Sequence, residues 1–193
     1  MLSVSLINRA LPILLVVCIF CGCENNVKDL PSPGKKQSIP EEAWQIESLM
    51  SEGGKIKGKL TAPYMLRYQR ADTPYAEFPR SLHVDFFKDS TRKDSIIIES
   101  QMDARYGKYL PNQSKVFLRD HVVVKNILKG DTVHCLTLWW DQNTQKFYTD
   151  DSVRIYQKDK ILWGVGMEAD QNFRWYTIKH LTGSVLTSES AMK

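Results

Sequence analysis

From residue 133 to residue 155 apolar and polar positions alternate with a period of two, break at a polar stretch, and alternate again. His134, Leu136, Leu138 and Trp140 share one side of the first arm, while Val133, Cys135, Thr137 and Trp139 share the other. A strand has this period because successive side chains leave the backbone on opposite faces. The turn falls at residues 141–144, and the returning arm carries Phe147, Tyr148, Val153 and Ile155. Three more segments carry the same signature. Ile56, Gly58, Leu60 and Ala62, then Ile98, Ser100, Met102 and Ala104, then Trp163, Val165, Met167 and Ala169 each form a file ending in Ala on one face. Further strand openings follow at Leu82-Val84-Phe86, Val122-Val124 and Gly183-Ser184-Val185. A spacing of roughly 30 to 40 residues suits rungs stacked along one axis. Four ordinary antiparallel hairpins would leave the same local pattern. An all-β domain is therefore predicted over residues 54–187, with a polar tail at residues 188–193.

Upstream the pattern changes. Residues 24–53 are read as a linker followed by one short helix. Pro31, Pro33, Gly34, Lys35 and Lys36 carry no periodicity. Ser38 then offers an N-cap, Pro40 a first-turn residue, and Glu41 and Glu42 the acids that complement a helix dipole. Ala43, Trp44, Ile46, Leu49 and Met50 would form its apolar side, ending at Gly53-Gly54.

Residues 1–23 read as a signal peptide or membrane anchor. Arg9 precedes an apolar run at residues 10–20, and Cys21-Gly22-Cys23 gives way to Glu24-Asn25-Asn26. The run is shorter than the about 20 apolar residues that span a bilayer. Gly22-Cys23 resembles a bacterial lipoprotein processing site, at which Cys23 would be the acylated first residue. An uncleaved anchor is the alternative.

Composition narrows the function classes. A net charge of +4, with Lys and Arg interleaved among Asp and Glu, gives no basic stripe for nucleic acid. Three of the four cysteines crowd the N-terminal segment, leaving Cys135 alone in the body, so neither a disulfide framework nor a metal site follows. His83, His121, His134 and His180 lie far apart without ligand spacing. Gly164-Val165-Gly166-Met167 falls inside a strand pattern, where glycines mean bulging or close backbone approach. Asp150-Asp151 reads as a solvated turn, because neighbours in a strand cannot converge as acid and base. No catalytic residue, cofactor or metal is assigned, and no enzyme is indicated.

The segment from Val116 to Val185 contains Asp120-His121-Val122, Gly130-Asp131-Thr132, Leu138-Trp139-Trp140-Asp141, Phe147-Tyr148-Thr149-Asp150 and Gly164-Val165-Gly166-Met167-Glu168-Ala169-Asp170. With these motifs the chain resembles the LptC family of lipopolysaccharide export proteins over residues 54–186. The resemblance implies an open, boat-like β-jellyroll of the OstA/LptA type, whose apolar interior holds lipid A acyl chains. It also implies partners: an inner-membrane permease and ATPase complex at one end and the periplasmic bridge protein LptA at the other. Members with an uncleaved membrane helix differ from the lipoprotein-like Cys23 of this chain.

On that reading Ile56, Leu60, Ile98, Met102, Leu136, Leu138, Trp140, Val165 and Met167 line the lipid trough, with Asp103 and Glu168 on the wet face. The last strand, at Gly183, Ser184, Val185 and Leu186, is an open edge able to receive a like-folded partner. A structural envelope lipoprotein with a filled jellyroll would share these features. So would a carbohydrate-binding jellyroll using Trp139, Trp163 and Asp141.

Overall fold

The computed structural model describes residues 39–88 and 96–186. Its regular structure is extended, except for one 3-10 turn at Pro111–Gln113. Strands β1 (Glu41–Glu52) and β2 (Lys55–Tyr68) form the first hairpin. Four short strands follow: β3 (Tyr75–Phe78), β4 (Leu82–Phe87), β5 (Ile98–Ala104) and β6 (Tyr106–Leu110). The remaining five are long: β7 (Lys115–Asn126), β8 (Thr132–Asp141), β9 (Lys146–Tyr156), β10 (Lys160–Asp170) and β11 (Tyr176–Leu186). All join one antiparallel sheet.

The helix expected at residues 41–50 is strand β1, paired with β2 from Glu41↔Arg67 to Glu52↔Lys55. Gly53 and Gly54, read from sequence as a helix stop, form a two-residue hairpin turn with φ of 57° and 75°. Positive φ at both central positions gives the turn twist that matches flanking strands, which favours glycine there. Strand β2 runs through Pro63 to Tyr68.

A line of irregularities crosses the sheet and creases it. The break between β3 and β4 carries Ser81 at φ 105°, and the break between β5 and β6 falls at Arg105, whose N–H donates to Asp120 O at 2.9 Å. In β7 the register jumps between Arg119 and Val122, where Asp120 and His121 have φ of 64° and 55°. The next jumps lie between Cys135 and Trp139 in β8, and between Val165 and Met167 in β10 around Gly166 at φ 74°. An extra residue on one strand bends it and raises its twist. Bulges aligned from strand to strand therefore fold the sheet into two wings, one built on β4 and β5, the other on β3 and β6.

The wings enclose the core. Phe86 of β4 meets Trp140 of β8 edge-on at 5.0 Å and Phe147 of β9 at 5.8 Å, across strands that are not neighbours in the sheet. Met102, Leu118, Leu138 and Met167 are fully buried there. Opposite the crease the strand ends touch: Ser100 Oγ donates to Gln171 O at 3.1 Å and Gln145 Nε2 to Glu52 Oε2 at 2.9 Å. An open, bent β-jellyroll results, as the strand pattern and resemblance led one to expect. Residues 1–38, 89–95 and the tail from residue 187 lie outside the described residues.

Candidate functional site

The apolar interior divides into a packed middle and an open mouth. Met102, Leu138 and Met167 are 0% exposed and Trp140 3%, all within one core cluster. Ile98 is half-buried at the start of β5, and Leu60 packs against the cluster from β2. Between β1 and β2 on one side and β3, β6, β7 and β8 on the other lies an open cavity of about 580 Å³. Ile46, Met50, Leu60, Met65, Val116 and Trp140 are among its apolar lining, with Arg67 and Gln142 also bordering it. The sequence reading missed Ile46 and Met50 because it placed them on a helix. It missed Met65 because the crease at Pro63 moves the interior position from Ala62 to Met65, a step of three.

Three residues assigned to the trough stand outside it. Leu136 is 68% exposed: Asp120 and His121 of β7 face it alone, and the register change there puts Cys135 and then Leu138 inward, so strict alternation fails between them. Val165 is turned out by the bulge at Gly166, which brings Met167 inward. Ile56 is 45% exposed beside the Gly53-Gly54 turn and does not line the cavity. Asp103 and Glu168 are both half-exposed on the outer face, where they were expected. Asp150-Asp151 is not a turn but the bulge of β9 opposite Gly166, with Asp150 salt-bridged to Lys179 at 2.6 Å.

The outer face uses its aromatic groups on each other. Trp139 lies 4.9 Å from Phe117 and 6.3 Å from Tyr148, nearly parallel to the latter, in a row across β7, β8 and β9. All three rings are half-buried by these contacts. Asp141 starts the β8–β9 turn, accepting from Asn143 N and Thr144 N at 3.0 Å each. Those bonds, chiefly Thr144, together with Lys115, hold its carboxyl below the usual range. Burial, reinforced by Asp151, pushes the Cys135 thiol up to about 12, which keeps it protonated and inert. Among the described residues no cluster of His, Cys, Asp and Glu could hold a metal, and no helix is long and apolar enough to cross a membrane.

His83 is held between two carboxylates on the outer face. Its Nδ1 lies 2.7 Å from Asp103 Oδ1 and its Nε2 3.1 Å from Asp85 Oδ1, which also accepts from Gln101 Nε2 at 2.8 Å. Burial pulls its pKa down, but the bonds and charges of Asp103 and Asp85 outweigh this and leave it raised above 6.5. A raised folded-state pKa contributes stability in full below the unfolded value, and that stability is lost as pH rises through the folded value. His83→Gln is therefore expected to lose more stability at about pH 5.5 than at about pH 8.5. The difference should stay under about 1 kcal/mol, because the ring is a third exposed. Urea unfolding of both proteins at the two pH values checks this.

The sheet leaves two edges. β1 pairs only with β2, and β11 only with β10, among the described residues. Gly183, Ser184, Val185 and Leu186 lie on β11, bonded on one side to residues 160–163, with Val185 and Leu186 exposed. A creased antiparallel sheet with an apolar interior, a mouth at one end and unpaired strands at both edges defines the chain as an open β-jellyroll protein. A family model described as "Lipopolysaccharide-assembly, LptC-related" matches residues 13–182, most of the chain. The chain belongs to the LptC family, whose members serve lipopolysaccharide transport in the Gram-negative envelope, anchored to the inner membrane, and are not known as enzymes. No curated protein matches it.

Proposed function

We propose that this chain takes lipopolysaccharide from the inner-membrane permease and ATPase complex into its apolar interior and passes it to an LptA-like periplasmic bridge protein by edge-to-edge contact. The observation that carries this reading is the mouth cavity, where the interior opens beside the β1 edge among Ile46, Met50, Leu60, Met65 and Val116. An acyl chain there leaves water at about 0.8 kcal/mol per methylene, with no polar bond required. Met50 and Met65 are unbranched and flexible enough to fit chains of different shape. Of the residues assigned to the trough from sequence, Leu60 and Trp140 border this cavity, Met102, Leu138 and Met167 belong to the filled interior beyond it, and Ile98 is half-buried outside the core cluster. Deeper passage requires those side chains to move apart. The energy for directional movement comes from the ATPase partner, since the sequence has no phosphate-binding loop.

At the other end the β11 edge, residues 183–186, receives the next jellyroll by strand addition. Val185→Pro removes one main-chain donor from that edge. It is expected to abolish capture of the bridge protein while leaving lipid uptake intact, as measured by pull-down and by lipid content. Unchanged capture by a folded variant would sink the docking assignment. Cys23, outside the described residues, is proposed as an acylated anchor; intact mass of the membrane-extracted protein decides, and a chain still beginning at Met1 rules it out.

Photo-crosslinkers at Leu60 and Glu168 of the full chain in cell envelopes test the lipid path. Lipopolysaccharide should label from Leu60 and not from Glu168. Labelling from Glu168 alone would reverse the faces. Labelling from neither, with a purified chain free of lipid, would favour a structural lipoprotein with a filled jellyroll.

A further inference from the structure

Two turns and the start of β5 meet at one end of the molecule. Asn126, 2% exposed at the end of β7, donates from Nδ2 to Asn172 O at 2.8 Å. Ile127 N donates to Glu99 O at 2.9 Å. Lys129 Nζ donates to Arg174 O, and Arg174 Nε lies 3.4 Å from Glu99 Oε1. Residues 96–99, 126–130 and 172–175 are thereby held as one surface, although they come from distant parts of the chain.

That surface is apolar where turn tips are ordinarily polar. Ile96, Ile97, Ile127, Leu128 and Trp175 stand out from it, between 41% and 68% exposed. None of them belongs to the core cluster. Around them Lys88, Lys125 and Lys129 are exposed, whereas the nearby acids Glu99 and Asp131 are buried beneath. Among the described residues, the charge presented outward at this end is therefore positive. The aliphatic side chains project from separate segments, Ile96 and Ile97 from the entry to β5 and Ile127 and Leu128 from the β7–β8 turn, in a region whose Ile127 and Gly130 main-chain donors are already used internally. Aliphatic tips with one Trp and a rim of Lys are the chemistry of a bilayer interface bearing anionic headgroups.

We infer that this end of the jellyroll rests on an anionic bilayer surface, with Ile127, Leu128, Ile97 and Trp175 entering the headgroup boundary and Lys88 and Lys129 lying against lipid phosphates. Such contact orients the domain on its membrane. It uses surface remote from the mouth cavity lining, so it stands or falls separately from the lipid path proposed above.

The test uses the full chain in vesicles of phosphatidylethanolamine with phosphatidylglycerol, or of phosphatidylcholine alone. An environment-sensitive amino acid is encoded at Leu128, at Ile97 as a second reporter, and at Leu136 as a more exposed control on the outer face. Lipid-borne quenchers should reduce emission several-fold more at positions 128 and 97 than at 136, and more in anionic than in neutral vesicles. Lys88→Gln should weaken the contact about fivefold, the factor for one cation near an anionic surface. Equal quenching at all three positions, or no dependence on anionic lipid, would overturn the inference. A response seen only when the permease complex is added would overturn it in favour of a protein partner.

Discussion

Leu138→Ala and Met167→Ala are expected to destabilise the domain by about 2–5 kcal/mol, while Leu60→Ala costs far less and instead reduces lipid capture. Leu138 and Met167 are 0% exposed in the filled interior, so each truncation leaves a void that rigid neighbouring strands cannot collapse into. Leu60 borders an existing cavity, so shortening it enlarges open space without opening a sealed void. Thermal unfolding should separate the two classes by on the order of 10 °C. Retained lipopolysaccharide after purification gives the second axis. If Leu138→Ala were as stable as wild type yet lost lipid, the middle of the jellyroll would be a lipid channel and not a packed core.

Gly164→Val should detach β11 and with it the docking edge. A Cβ at Gly164 would lie 2.7 Å from His180 O and would collide with Ile178 Cγ2, both on β11. The carbonyl is backbone, so relief requires the strands to part at the point where Gly164 pairs with Leu181. Val adds further bulk to the same contact. The remaining ten strands keep their core, because Leu138, Phe86 and Phe147 lie elsewhere. Hydrogen exchange is therefore expected to show residues 176–186 losing protection by an order of magnitude or more while β7 to β9 stay protected. Bridge-protein capture should fall in parallel. Uniform loss of protection would mean instead that β11 is integral to the fold and is no separable edge.

The strand character of the chain was written in its period-two alternation, because that pattern depends only on which face of a pleated backbone each residue occupies. The turn at residues 141–144 and the bulge at Gly166 were legible for the same local reason: Asp and Gly have few other uses at such positions. The motifs from Asp120 to Asp170 were enough to indicate the family. By contrast, Trp44, Ile46 and Met50 suit either an amphipathic helix or a strand. Only pairing with β2, closed by the Gly53-Gly54 turn, decided for a strand. Which side of the sheet Leu136 and Val165 occupy was also undecidable locally. Each bulge is a mismatch in residue count between two strands, such as Asp120 and His121 against Leu136 alone, and a single strand carries no record of its partner's count. The crease, the mouth cavity and the joined turns at Asn126 and Asn172 follow from those non-local registers, so tertiary structure alone determined them.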